Sequence, residues 1–279
     1  MNRLDHTDII KGIRDLPALP LVVAELIRSF DQPEVSTGAV ADWVSQDQAL
    51  AAKTLRLANS SFYGLTRKVK TIQQAITVVG FDSVRSMIIA VGIIDAFAGT
   101  ADTNFNFTGF WQHAIGTALC AKGLARACNL SQDDGFISGL LHDIGTLVLV
   151  TQFPQQHAAA MAERAARDCH AVEAERHLLG TDHAAVGRAL AEHWKFPTLI
   201  QEAIAHHHSL IVANGGIPSV VHVGNGIAHA MGLGGQDDDL VPPISDKAWD
   251  SLRLDEASLR RVFRDAEAQF DEACQTLAI

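Results

Sequence analysis

Apolar residues recur every three to four positions along most of this chain, a spacing that is typical of amphipathic α-helices. Residues 48–59 and 72–79 show this spacing clearly, and each run follows a helix-capping residue, Asp47 or Thr71. Residues 87–98 are apolar except for Asp95, which predicts a buried helix. We therefore predict that the first 98 residues form a bundle of about five helices with short connections.

The helical spacing resumes after a polar, turn-rich stretch at residues 99–108, which is the best candidate for a domain border. We predict an all-α fold with two units, residues 1–98 and residues 99–279. The helices predicted for the second unit are 110–127, 131–141, 154–167, 171–179, 183–194, 197–206, 220–231 and 256–277. Residues 232–243 are expected to form an exposed acidic loop.

The composition supports packed helices and argues against a nucleic acid partner. Apolar residues make up 48% of the chain but aromatic residues only 6%, so Ala, Leu, Val and Ile dominate the predicted core. With 22 basic and 32 acidic residues, the net charge of −10 repels phosphate backbones. The densest basic cluster, Arg67, Lys68 and Lys70, is too short to reverse this. We expect no nucleic acid partner, although pairs of helices joined by short turns recur in the first unit.

The cysteines and the hydropathy predict a cytoplasmic location without a membrane partner. Cys120, Cys128, Cys169 and Cys274 form no C-x-x-C pair, and no secretory signal is recognised at the N-terminus. These features are typical of reduced thiols in the cytoplasm. No uncharged apolar run approaches the roughly 20 residues that are needed to span a bilayer.

Two polar residues, His142 and Asp143, interrupt the apolar run Leu-Leu-His-Asp-Ile-Gly. Burying an imidazole beside a carboxylate is unfavourable unless both groups have strong partners, and a shared metal ion is one such partner. Further histidines lie on the surrounding predicted helices, at His113, at His183 and at 206–208. Neutral imidazoles with a carboxylate suit zinc, iron or manganese.

The spacing of these residues matches no local metal motif, so a second interpretation stays open. Taken singly, His113 or His183 fits a hydrogen-bonded core histidine better than a metal ligand. Five other histidines are predicted to be solvated surface residues: His6, His157, His170, His177 and His193.

The order of the candidate residues resembles the HD superfamily of helical metal-dependent phosphohydrolases. The first unit resembles more specifically its HDOD branch, the HD-related output domain of bacterial signalling proteins. The segments that carry this resemblance are Leu16-Pro-Ala-Leu-Pro, the run from Trp43 to Gly64, the run from Thr71 to Gly80, and Trp194-Lys-Phe-Pro. The resemblance extends from about residue 14 to residue 232.

The resemblance implies an N-terminal helical bundle packed on an HD-like helical domain, and regulation without known catalysis in many members. It also implies a divalent metal site, for iron, manganese or zinc. Carried over by position, the implied metal ligands are His113, His142, Asp143, His183 and His207, with His208 adjacent.

Two positions depart from the catalytic relatives and predict a degenerate site. Asn225 stands where those relatives have a last aspartate ligand, and an uncharged amide is a poorer ligand for a hard dication. Thr146 stands where related cyclic dinucleotide phosphodiesterases have a lysine that reaches the substrate phosphate. Their Gly-Tyr-Pro signature is also absent, since Ser209-Leu-Ile-Val follows the histidine pair. These losses remove electrostatic stabilisation that phosphodiester cleavage depends on.

The sequence leaves two functions open. We predict a bacterial signal-transduction module that acts through protein contacts, without catalysis, with a metal retained in the degenerate site. The alternative is a working metal-dependent phosphohydrolase with His142, Asp143 and His183 among its ligands. No receiver, sensor or cyclase segment is recognised at either end, so we expect contacts in trans with a signalling protein or a second copy. The exposed faces of Arg56, Asn59 and Tyr63 are the expected contact surface, and the alternative role for each of these residues is to close the bundle.

Overall fold

The computed structural model describes residues 3–31, 36–60, 63–98, 105–209, 215–234 and 240–277, and within these ranges it contains helices and no strand. The predicted all-α class is confirmed. The helices of the first 98 residues are α1 (His6–Arg14), α2 (Leu21–Arg28), α3 (Thr37–Gln46), α4 (Gln48–Ala58), α5 (Ile72–Val79) and α6 (Phe81–Phe97). The next are α7 (Phe107–Ala127), α8 (Gln132–Leu141), α9 (Ile144–Gln152), α10 (Pro154–Arg167) and α11 (Ala171–Leu179). The last are α12 (His183–His193), α13 (Thr198–His206), α14 (Ile217–Ala230), α15 (Asp246–Leu252) and α16 (Glu256–Leu277).

Side-chain caps fix several helix starts where the sequence predicts them. Asp47 accepts a hydrogen bond from the Leu50 backbone N–H at 3.0 Å, and Thr71 accepts one from the Gln74 N–H at 3.1 Å. Each cap satisfies a backbone donor that has no partner inside its helix. The apolar pattern does not predict α1, α9 and α15. For α9 the reason is that only a two-residue break separates it from α8 within one apolar run.

The combined segment of α8 and α9 is the one place where the described residues resemble a membrane span. Residues 132–152 have a mean hydropathy of 1.2 over the tested window, and 78% of that window is buried inside the protein. Core helices pass the same test of length and composition. The absence of a membrane partner stays a prediction.

Two long helices form the centre of the molecule. Helix α6 packs against α2, α4, α5 and α8, and helix α7 packs against α8, α14 and α16. Most of the buried apolar side chains of the described residues belong to one connected cluster.

Contacts cross the predicted domain border at both ends of the chain. Helix α1 lies against α9 and α12, and helix α16 lies against α4 as well as α7. The border itself adjoins residues 99–104, which lie outside the described residues, so the division at residue 98 stays a prediction. Part of the expected acidic loop, residues 235–239, also lies outside them.

Glycines let the helices around α7 approach closely and so bring distant residues together. A Cβ added at Gly139 of α8 would lie 2.8 Å from Ala118 Cα, and one at Gly224 of α14 would lie 3.1 Å from the Ala121 N. Real Cβ atoms essentially never lie as close as the first distance, and the second would require the neighbouring helix to shift by a few tenths of an ångström. The close packing therefore holds the end of α8 and the middle of α14 beside the same face of α7.

Candidate metal centre

The structure brings the six predicted ligand residues to one place between five helices. His113 lies on α7, while His142 and Asp143 form the break between α8 and α9. The other three are His183 at the start of α12 and His207 and His208 at the end of α13. Apart from Asp143 and His208, all are at most 6% exposed. Their roles as ligands stay predictions.

The carboxylate of Asp143 lies at the centre of this cluster. Its Oδ1 is 3.1 Å from His207 Nε2 and 3.3 Å from His183 Nε2. Its Oδ2 is 3.2 Å from His142 Nε2 and 4.0 Å from His113 Nε2. Each oxygen therefore faces its own pair of imidazoles.

Two overlapping sets of candidate ligands share Asp143. In each set the ligand atoms lie within 4.8 Å of one another. We call them the His183 group, which contains Asp143, His183, His207 and His208, and the His113 group, which contains His113, His142 and Asp143.

Hydrogen bonds to Nδ1 orient the rings of His142 and His207, so that Nε2 of each ring faces the Asp143 carboxylate. The Nδ1 of His142 lies 2.7 Å from the Gly139 carbonyl oxygen, and the Nδ1 of His207 lies 2.7 Å from the Ile204 carbonyl oxygen. A carbonyl oxygen only accepts, so each Nδ1 carries a proton, and in the neutral ring each Nε2 presents a lone pair. Lone pairs and carboxylate oxygens facing each other repel unless a cation lies between them.

Unsatisfied atoms in the same place fit a metal ion. His142 Nε2 and Asp143 Oδ1 are buried and have no hydrogen-bond partner among the described residues. Buried polar atoms without a partner are rare and call for an explanation such as a bound ion. Imidazole nitrogens backed by a carbonyl or carboxylate are also the usual form of metal-bound histidine.

The pKa values of these groups give protonation states that suit metal binding. Burial lowers the pKa of His113 to about 3 and the pKa of His207 to about 4. Burial alone would raise the pKa of Asp143, but His142, His183 and His207 outweigh it and hold that pKa well below its usual value. At neutral pH His113 and His207 are therefore neutral imidazoles and Asp143 is an ionised carboxylate.

His183 differs because two carboxylates face it. Burial would lower its pKa, but Glu175 and Asp143 outweigh burial and raise the pKa well above the ordinary value. The metal-free site therefore holds a proton on His183, and a metal ion that binds there displaces it.

Acid is expected to destabilise the metal-free protein between pH 6.5 and pH 4. The unfolded chain protonates His113 and His207 near pH 6.5, whereas the folded protein does so only near pH 3 and pH 4. Their stabilising contribution is therefore complete above pH 6.5 and is lost as the pH falls, by on the order of 3 kcal/mol for each histidine at pH 4. The raised pKa of His183 contributes to the stability of the folded protein by an amount that is constant below pH 6.5, so it does not change this trend. Urea unfolding with a chelator at pH 7, 5.5 and 4 measures this, and a flat profile would contradict it.

The two positions predicted to be degenerate also lie at the centre. Asn225 on α14 is 1% exposed, and its Oδ1 lies 3.0 Å from His113 Nε2. Thr146 lies in the first turn of α9 and lines a cavity beside the cluster. Residues 210–212, where the Gly-Tyr-Pro signature is expected in relatives, lie outside the described residues.

The cavity has a volume of about 160 Å³ and opens beside Asp143. Its lining contains both apolar and polar residues. The apolar lining residues are Phe105, Phe110, Met161, Ala171, Leu240 and Pro242. Among the described lining residues, Arg164 is the one arginine or lysine.

Sequence reasoning placed two histidines wrongly and missed two further residues. His157 and His170 are partly buried and line the cavity, so their prediction as solvated residues is wrong, whereas His6, His177 and His193 are exposed as predicted. The missed residues are Glu175 and His229. His229 lies one helical turn after Asn225 and its ring centroid is 4.2 Å from that of His113, so helical spacing could have indicated it. No sequence pattern points to Glu175.

The profile of the HDOD domain matches residues 16–210. An uncharacterised protein of Treponema pallidum (strain Nichols) is 29% identical over 204 residues, which are 72% of this chain and 39% of that protein. The chain thus spans about two fifths of the length of this curated relative.

Three solved structures share the fold. A Geobacter sulfurreducens HDOD domain protein of unknown function has a TM-score of 0.79 and 24% identity, with 98% of both chains covered. A proposed phosphohydrolase of Shewanella amazonensis SB2B has a TM-score of 0.77 and 24% identity, with 97% and 98% covered. A proposed signal transduction protein of Marinobacter aquaeolei VT8 has a TM-score of 0.76 and 22% identity, with 98% of this chain and 65% of that chain covered. At these identities they show the fold alone.

Proposed function

Because the chain belongs to the HDOD domain family, we propose that it is a cytoplasmic signalling module that acts through protein contacts and binds a divalent metal ion without using it for catalysis. The observation that carries this proposal is a cluster of candidate ligand atoms that converge, while groups expected to be needed for cleavage are replaced. Thr146 lines the cavity where a phosphate-binding lysine is expected, and Asn225 faces His113 where an aspartate is expected. The free thiols of the four cysteines support the cytoplasmic part.

Bound metal would be held by imidazole nitrogens and the Asp143 carboxylate, and would act as a Lewis acid on any oxygen that reaches it. The chain itself fixes the ring orientations through the Nδ1 hydrogen bonds of His142 and His207. It also buries His142, His183 and His207, which are at most 4% exposed. These properties serve a structural or sensing role as well as a catalytic one.

The first 98 residues expose apolar surface that supports the protein-contact part of the proposal. Leu21 is 75% exposed and Trp43 is 41% exposed, and both line a groove between α2 and α3. Contiguous exposed apolar side chains are typical of protein-contact surfaces.

The contact surface expected from the sequence is wrong for two of its three residues. Asn59 uses its side chain internally, since its amide donates to the Val69 carbonyl at 2.8 Å and accepts from the Val69 N–H at 2.7 Å. Tyr63 is packed beneath Lys122, whose ammonium lies 4.4 Å from the ring centroid. Arg56 is exposed. Asn59 and Tyr63 thus stabilise the bundle.

Metal analysis combined with two hydrolysis assays tests the proposal. We expect the purified protein to bind a divalent ion and to hydrolyse neither a chromogenic phosphodiester nor a cyclic dinucleotide above the background of the Asp143→Ala variant. The Asp168→Asn variant is the matched control, because Asp168 is exposed and has a left-handed backbone that asparagine tolerates. Turnover in the wild type and the control that is absent from Asp143→Ala would overturn the regulatory proposal.

The alternative function, a metal-dependent phosphohydrolase, is favoured by the cavity itself. It opens at the metal centre, and Arg164 on its wall offers a cation for a phosphate group. The same hydrolysis assays decide between the two functions, since this alternative requires turnover that depends on Asp143.

A further inference from the structure

We propose that one divalent ion binds in the His183 group and not in the His113 group, and that Glu175 supplies, through His183, the negative charge that Asn225 lacks. This inference rests on the metal site of the proposed function. It assigns Glu175 as a positioning residue, because Glu175 would act on the ion through a ligand and not by contact.

Glu175 is held tightly against His183. Its carboxylate is 1% exposed, and its Oε2 accepts hydrogen bonds from the His183 backbone N–H at 2.8 Å and from His183 Nδ1 at 2.6 Å. Two bonds to one oxygen fix both the start of α12 and the orientation of the ring. The Nε2 of His183 is thereby directed towards Asp143 and His208, at 3.3 Å and 2.8 Å.

The loop between α11 and α12 is braced a second time beside this contact. Asp182 caps α12 by accepting from the Ala185 N–H at 2.8 Å, and it accepts from Arg176 Nε at 2.6 Å. A ligand that is held by a rigid support loses little entropy on binding metal. The His183 side of the centre is therefore preorganised.

The buried charges distinguish the two groups. Both contain Asp143, but the side chain that faces His113 Nε2 is the neutral amide of Asn225. The His183 group has the buried Glu175 carboxylate behind one of its ligands. Together Asp143 and Glu175 match the charge of one divalent ion, which matters because uncompensated charge is costly inside a protein.

The donor atoms favour the same group. The His183 group offers three imidazole nitrogens and one carboxylate oxygen, which is a complete tetrahedral set for zinc. The His113 group offers two nitrogens and the shared carboxylate, and His113 Nε2 is already within hydrogen-bond distance of Asn225 Oδ1, at 3.0 Å. The His183 group is therefore the stronger set of ligands for a single ion.

The first test compares two glutamates on α11. Glu175→Gln keeps an oxygen acceptor for His183 and removes only the charge, so we expect Zn²⁺ affinity, measured by competition with a chromogenic chelator, to fall about 10- to 100-fold. Glu173→Gln, at an exposed position of the same helix, should bind as the wild type does. Circular dichroism checks the fold of each variant, and the visible absorption of the Co²⁺ form should change only for Glu175→Gln. Equal affinity of the two variants would overturn the role of Glu175.

The second test locates the ion with two histidine variants. We expect elemental analysis to find one Zn²⁺ per chain in the wild type and in His113→Asn. We expect the Zn²⁺ affinity of His208→Asn to fall at least tenfold. Two ions per chain, or loss in His113→Asn with retention in His208→Asn, would overturn this inference and leave the proposed metal site intact. Absence of metal from the wild type as well would overturn both.

Discussion

Replacing Gly145 by alanine should lower the free energy of unfolding by about 3 kcal/mol, at the upper end of what overpacking costs. A Cβ at this position would lie 2.0 Å from the His183 carbonyl oxygen and 2.4 Å from the Gly187 N. Both obstacles are backbone atoms, so relief requires α9 and α12 to move apart. Because that movement carries Asp143 away from His183, the variant should also lose Zn²⁺ affinity. Urea unfolding of the metal-free proteins measures the change in stability.

Gly123→Ala is the matched control, since it makes the same substitution inside another helix. Its Cβ would lie 3.3 Å from Val262 Cγ2, a contact with a side chain that can adjust. Alanine also favours the helical backbone by roughly 1 kcal/mol over glycine. We expect this variant to be within about 1 kcal/mol of the wild type in stability. If Gly145→Ala were as stable as Gly123→Ala, the close crossing of α9 and α12 would not exist as described.

Replacing Asp143 by asparagine should remove nearly all of the stabilisation that metal gives. At a Zn²⁺ concentration of about 100 times its Kd, the wild type should gain about 2.7 kcal/mol, because the ion binds only the folded state. The substitution removes the one carboxylate that both ligand groups share. A loss of affinity of about 100-fold would leave a gain of roughly 0.4 kcal/mol at the same concentration. Thermal unfolding with and without metal measures both gains.

Asp168→Asn makes the same chemical change on the surface and should keep the full metal-dependent gain. The comparison separates ligand loss from a general effect of reduced negative charge. A full gain in Asp143→Asn would show that the ion binds elsewhere or without this carboxylate.

Much of the helical structure follows from local sequence features. Asp47 and Thr71 cap the helices that they were expected to cap, and periodicity gives α10, α11 and α16 their observed bounds. Helix α9 escapes prediction because periodicity cannot divide a continuous apolar run. At the break, the side chains of both His142 and Asp143 contact His207 at the end of α13.

The resemblance to the HD superfamily accounts for part of the site, because the order of the histidines and the His-Asp pair indicates His113, Asp143 and His183 before any coordinates are known. Glu175 could not be found in this way. Glu175 contacts His183 across the loop between α11 and α12. A glutamate on an amphipathic helix is predicted to be solvated unless its burial is known.

By itself the sequence determined that this protein is helical, that it belongs to a known family, and which imidazoles and which carboxylate are its candidate metal ligands. Only the tertiary structure decided how these groups face one another, which ring nitrogens present lone pairs, and that Glu175 lies behind His183. The physical reason is the separation along the chain between the residues that interact. Caps and periodicity act between residues a few positions apart. The candidate metal centre depends instead on how closely separate helices pack, and glycines such as Gly145 and Gly139 permit that close packing.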